Sequence, residues 1–256
     1  NSYAFQVRGR VENLDLTSLV NAAETSDLAV TGTVNADFQA SGNAKDIEQL
    51  NIQGAAQGQN VTINGRQAGQ LSLTARTGQS GRLDVDLITG IAGKPQSAHG
   101  SIELRKPGRP VEVSADLTDM DLAPLLAAFA PNLSSTVAGN IGGKLRLSGP
   151  TVNDKGEATI NGLKGNLSLA SISLVVSGRT ITVQTPVAFT LNGPDLTLER
   201  TRITGDGIDL SLGGTLGISE EAKLNFAVNG TADLEAIARL NPDYIMGGKA
   251  TVDVRL

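Results

Sequence analysis

The sequence predicts a mostly β protein: a long, twisted antiparallel sheet with one apolar face, accompanied by three short helices. Three observations carry that prediction. Apolar and polar residues alternate with period two along much of the chain, turn residues punctuate the alternation, and three stretches switch to helical spacing.

The alternation is explicit. Leu83, Val85 and Leu87 alternate with Asp84 and Asp86, Ile102 and Leu104 with Glu103 and Arg105, and Val111 and Val113 with Glu112 and Ser114. It returns at Leu145/Leu147, Ile181/Val183, Val187/Phe189/Leu191 and Leu196/Leu198. Further on it recurs at Ile208/Leu210/Leu212, Leu224/Phe226/Val228 and Val252/Val254/Leu256. Successive side chains of a strand point to opposite faces, so each run specifies one dry and one wet side.

Turn chemistry separates the runs. Asn64-Gly65, Asn161-Gly162, Asn192-Gly193-Pro194, Asp206-Gly207 and Asn229-Gly230 suit the positive φ angles of tight turns. The expected result is about eighteen short strands, mostly antiparallel, each about six residues or roughly 20 Å long. At about 4.8 Å per strand, that sheet extends on the order of 85 Å.

The helical stretches are residues 13–22, 119–130 and 231–240, each with Asp-Leu near its start: Asp15-Leu16, Asp121-Leu122 and Asp233-Leu234. An acidic residue there caps free N–H groups and meets the positive end of the helix dipole. These dipeptides also open an internal repeat. Asp15-Leu16, Val30-Thr31-Gly32 and Ser41-Gly42 return as Asp121-Leu122, Val137-Ala138-Gly139 and Ser148-Gly149, at offsets of 106, 107 and 107 residues. The expected organisation is a β-repeat unit over residues 1–118, a second over 119–230 and the start of a third over 231–256. Because strand-like runs open and close the chain, it reads as a piece of a longer protein.

Composition removes several function classes. The 256 residues contain no Cys and one His, so thiolate nucleophiles, cysteine-ligated zinc and disulfides are out, and no cofactor is expected. Net charge is −5 with 18 % charged residues, which leaves no basic face for nucleic acid. No run approaches the roughly 18 apolar residues of a membrane-spanning helix. His99, before Gly100 at an expected turn, has no second His to share a metal or a proton relay. Thr204–Asp209 is read as a hairpin turn and Asn153–Glu157 as a solvated turn, neither having the ligand pattern of a calcium loop. The chain is not expected to be an enzyme.

A sheet with one apolar face must cover it with a second sheet, with helices or with a ligand. Three short helices are too few, which leaves a sandwich or a trough. Aromatic residues are only 3 %, so the dry face is aliphatic, whereas cores of this size lean on aromatic rings to fill space.

Here a family resemblance bears on the choice. Pro110-Val111, Asp121-Leu122-Ala123-Pro124-Leu125-Leu126, Pro131-Asn132, Gly139 and Leu145-Arg146-Leu147-Ser148-Gly149 form one series. Pro186–Leu191, Leu196–Glu199, Leu210–Gly214 and Val228-Asn229-Gly230 continue it. The series resembles the TamB and AsmA-like proteins of the bacterial envelope. That resemblance implies a β-sheet curled into an apolar trough (a β-taco), a hydrophobic groove that moves phospholipid across the periplasm toward the outer membrane. The alternating apolar residues from Leu83 to Val228 named above would then line the groove and contact acyl chains. It also implies a periplasmic location, an inner-membrane anchor outside this segment and an outer-membrane assembly partner met through other regions. The alternative is a structural or chaperone-like β-repeat that aids outer-membrane protein assembly by offering sheet edges.

Overall fold

The computed structural model describes residues 3–18, 29–63, 65–67, 69–90, 94–129, 136–176, 178–205, 207–218, 223–235 and 247–256. Its strands are β1 (Ala4–Asp15), β2 (Val30–Asn43), β3 (Asp46–Ile63), β4 (Arg66–Gln67), β5 (Leu71–Thr77), β6 (Arg82–Thr89), β7 (Gln96–Glu103) and β8 (Pro110–Asp121). Helix α1 (Leu122–Phe129) follows. The second half adds β9 (Val137–Pro150), β10 (Lys164–Val176), β11 (Arg179–Val183), β12 (Val187–Asn192), β13 (Asp195–Gly205), β14 (Ile208–Gly217), β15 (Leu224–Asp233) and β16 (Lys249–Arg255).

Neighbouring strands pair antiparallel. Consecutive strands neighbour one another almost throughout, as short connections require. Two compact units divide the chain: residues 1–116 with 147–159, and residues 117–146 with 160–256. Unit 1 runs β1-β2-β3-β5-β6-β7-β8, with β4 beside β3. Unit 2 runs β9-β10-β11-β13-β14-β15-β16, with β12 bridging β10 and β13.

The strands are fewer and longer than the punctuation suggests. β3 has 18 residues, about 60 Å at the usual rise, and it runs through Gly54 and Gly58 without a turn. Asn229-Gly230 is no turn either, for it lies within β15. Gly230 pairs with Leu210 on one side and Val252 on the other. A Cβ there would stand 2.0 Å from the Asp209 carbonyl oxygen, at φ +147°. Glycine at this point serves close strand approach.

Long strands keep one face dry through bulges. Val11 pairs with Ala36 and Leu14 with Val34, so β1 carries one residue more than β2 between them. Asn13 absorbs it at φ +54°, and its N–H donates to Asn35 Oδ1 at 2.7 Å. Without the bulge, Leu14 would fall on the opposite face from Val11. The repeat copies the device: Asp119 in β8 sits at φ +44°, and Asn140 Nδ2 donates to its Oδ1 at 3.1 Å.

Among the described residues two short helices stand where three are expected. Leu16–Ser18 opens the first, whose remaining expected residues (19–22) lie outside the described ones. The second is α1, and residue 130 of its expected span is also outside. At the third stretch, Thr231–Asp233 belong to β15 and pair with both β14 and β16. Ladder bonds on both sides hold Thr231–Asp233 extended. Only residues 234 and 235 have helical backbone, and 236–240 lie outside the described residues.

The cap recurs at all three places. The Oδ1 atoms of Asp15, Asp121 and Asp233 accept from the N–H groups of Thr17, Ala123 and Glu235 at 3.0, 2.9 and 3.0 Å. Pro124 falls in the first turn of α1, where no intrahelical donor is lost.

Candidate functional site: an uncovered apolar sheet face

Directly paired residues of an antiparallel ladder point to the same side, so the register carries the alternation from strand to strand. In unit 1 the row Gly9–Phe38–Gly54–Ala75–Val85–Gly100–Val113 crosses from β1 to β8 without a polar residue. The next row, Val11–Ala36–Ala56–Leu73–Leu87–Ala98–Ala115, does the same. A third joins Leu83, Ile102 and Val111. Leu83, Val85, Leu87, Ile102, Val111 and Val113 therefore share one face of unit 1.

Unit 2 is built the same way. Val183–Ile203–Leu210–Gly230–Val252 and Phe189–Leu198–Gly214–Phe226 are two of its rows. Leu191–Leu196–Leu216–Leu224, Leu212–Val228–Val254 and Ile181–Gly205–Ile208 are three more. Val187 joins this face through Leu169. A bulge between Leu198 and Thr201 again preserves the phase. In β9, Leu145 of unit 2 and Leu147 of unit 1 are half-buried between the exposed Lys144, Arg146 and Ser148.

Two residues sit differently from the expected pattern. Leu104 is not on a strand: it is buried in the turn after β7, where its N–H donates to the Gly81 carbonyl at 3.1 Å. His99 is not at a turn. It lies mid-strand in β7 on the polar face, with Nδ1 2.7 Å from Asp86 Oδ1.

No protein layer covers the apolar face among the described residues. Their buried hydrophobic side chains are Val61, Leu104, Val183, Val187 and Ala232 alone. On the face itself Phe38 is 39 % exposed, Val7 48 % and Leu224 49 %. A sandwich core would have closed over such residues.

The reverse face is polar and largely self-neutralised. In unit 1 Arg10 Nε donates to Asp37 Oδ1 at 2.9 Å and Arg82 Nε to Asp84 Oδ1 at 2.8 Å. In unit 2 Arg202 Nε donates to Asp209 Oδ1 at 2.7 Å, while Arg200 reaches Ser211 and Asn229. The hydrogen bond from Arg202 holds the Asp209 carboxyl below its ordinary range. The N–H of Thr17 does the same for Asp15. An open depression of about 590 Å³ lies over the polar side of unit 1, lined chiefly by Arg8, Asp37, Gln39, Gln53, Arg76 and Asp86.

Several members of the apolar face escaped the sequence reading, notably Gly9, Ala36, Phe38, Gly54, Ala56 and Ala75. Their signal was present but broken, since Gly54, Ala56 and Gly58 alternate with Gln53, Ala55, Gln57 and Gln59. Small residues register weakly as apolar, so the period was hidden. Among the described residues no three His, Cys, Asp or Glu side chains are grouped to hold a metal, and no helix is long and apolar enough to cross a membrane. No protein-family model, curated protein or solved structure matches the chain.

Proposed function

We propose that the chain binds the acyl chains of lipids along its apolar sheet face and serves as a conduit segment that moves phospholipid across the bacterial periplasm toward the outer membrane. The observation that carries this reading is the uncovered face: aliphatic rows crossing each unit, with Leu, Val and Phe side chains left accessible. Contiguous exposed apolar surface of this kind marks an interaction site. A sheet face offers no pocket with fixed polar anchors, which suits mobile hydrocarbon better than a single rigid ligand. The resemblance to the TamB and AsmA-like proteins supplies the envelope setting and the direction of movement.

Solvent extraction of the purified protein, followed by mass spectrometry, tests the proposal. Phospholipid recovered in stoichiometric amount is expected. Protein that emerges lipid-free from a bacterial host, and takes up none from vesicles, would contradict it.

A further inference from the structure

We infer that each unit carries a phosphate site at the margin of its apolar face, where Arg66 in unit 1 and Arg179 in unit 2 hold the headgroup phosphate of a phospholipid. The inference rests on the acyl-chain reading above and adds where the polar end of the lipid is held.

The ladder sets both positions. In unit 1 the loop Asn64-Gly65, with Gly65 at φ +76°, closes β3 onto β4 and pairs Arg66 directly with Ile63. Ile63 pairs in turn with Val30, which shares the parity of Val34 and Ala36 along β2. The row Val30–Ile63–Arg66 therefore belongs to the apolar face. In unit 2 the loop Ser177-Gly178, with Gly178 at φ +78°, closes β10 onto β11 and pairs Arg179 with Val176. This pair stands two residues beyond Leu174 and Ile181, whose row continues through Gly205 to Ile208 on the apolar face. The two arginines are counterparts in the repeat. Each follows the long strand that neighbours a Val-x-Gly strand, β2 at Val30 or β9 at Val137.

Their surroundings in the ladder differ from those of the polar-face arginines. Arg10, Arg82 and Arg202 each donate to a carboxylate, that of Asp37, Asp84 and Asp209. The described positions paired with Arg66 and Arg179 or next to them on their own face are Val30, Ile63, Leu174, Val176 and Ile181. None is acidic. An arginine among apolar residues at a sheet margin can lay its methylene stem along hydrocarbon and keep its guanidinium in water. The guanidinium fork offers paired N–H donors that match the oxygens of a phosphate. Hydrocarbon rows that end at a cation complement an amphiphile whose chains lie on the rows and whose anionic end lies at the margin. The net charge of −5 repels anions from the chain as a whole, so a preference for phosphate must arise locally.

The test uses the whole chain incubated with vesicles of phosphatidylglycerol and diacylglycerol of matched acyl chains, in about 0.15 M salt to screen the net charge. After re-isolation, bound lipids are quantified by mass spectrometry. Phosphatidylglycerol should be enriched over diacylglycerol by about tenfold or more relative to the vesicles, the scale of one charged hydrogen bond. The double variant Arg66→Gln/Arg179→Gln should still retain lipid, with the ratio back within about twofold of the vesicles. Each single variant alters one unit and should give an intermediate ratio, so the test survives a double variant that fails to fold. A native chain that takes up both lipids without preference overturns the inference and leaves acyl-chain binding intact. Enrichment that persists in the double variant, or that is lost instead in the polar-face variant Arg8→Gln/Arg76→Gln, overturns the assignment to these arginines. Retention of neither lipid overturns the proposed function and the inference together.

Discussion

Unit 1 and unit 2 present apolar faces of the same polarity but different relief. In unit 1 the rows are rich in small residues: Gly9, Gly54 and Gly100 lie in one, and Ala36, Ala56, Ala98 and Ala115 in the next. Phe38 pairs with Gly9 on one side and Gly54 on the other, its ring lying 2.7 Å from where a Gly9 Cβ would stand. In unit 2 Leu191, Leu196, Leu216 and Leu224 stand side by side in one row, which Gly165 opens. The polarity of a face is enforced everywhere by the pleat, whereas its volume is left free to vary. A ligand of mobile hydrocarbon tolerates both surfaces, while a packed protein core would demand complementary volumes.

The largest effect is expected at two glycines, one in each unit, that differ in the space around them. Gly230→Ala in unit 2 forces a Cβ into the Asp209 carbonyl and should cost about 3 kcal/mol. Gly100→Ala in unit 1, whose nearest neighbour atom would lie 3.9 Å away, should be neutral or mildly stabilising. Urea denaturation of both variants checks the pair, and equal losses would show that the close approach at Gly230 does not decide its cost.

Charge on the apolar face should cost less. Leu210→Arg and Leu147→Arg lie at half-buried positions from which a guanidinium can reach water, so each should lose about 1–2 kcal/mol and remain folded. A closed core would bury the cation and lose about 3 kcal/mol or more. Circular dichroism and urea melts distinguish the two outcomes. Lipid capture should fall in the folded variants.

The repeated caps give a smaller effect. Asp121→Ala removes the acceptor for the Ala123 N–H and should cost about 1 kcal/mol. The smallest effect is in acid. Folding lowers the pKa of Asp15 and Asp209 from 3.8, so their contribution is fully present above that pH and is lost as pH falls through the depressed folded values. The variant Asp209→Asn should lower the neutral plateau slightly and flatten the acid limb of a pH–stability curve by the same small amount.

Much of this was legible from the chain alone because a strand's period is rigid. Leu83, Val85 and Leu87 announce their face, and Ile208, Leu210 and Leu212 announce theirs. The Asp-Leu caps were equally plain, although at the third the ladders to β14 and β16 hold Thr231–Asp233, which the helical spacing had included. Glycine was the chief source of error. Asn229-Gly230 reads as a turn by local chemistry, yet tertiary pairing makes it a point of close strand approach. In β3, Gly54 and Gly58 conceal one 18-residue strand. The bulges at Asn13 and Leu198 were invisible as well, because a phase shift shows only against the partner strand.

The central claim is that lipid lies on one face only, and photocrosslinking along β14 tests it most directly. A photoreactive amino acid placed in turn at residues 208 to 213 in the full chain, with phospholipid present, reads the face residue by residue. Crosslinks to lipid at Ile208, Leu210 and Leu212, and none at Asp209, Ser211 and Gly213, are the predicted result. Crosslinks without that period of two, or none at any of the six, would contradict the account.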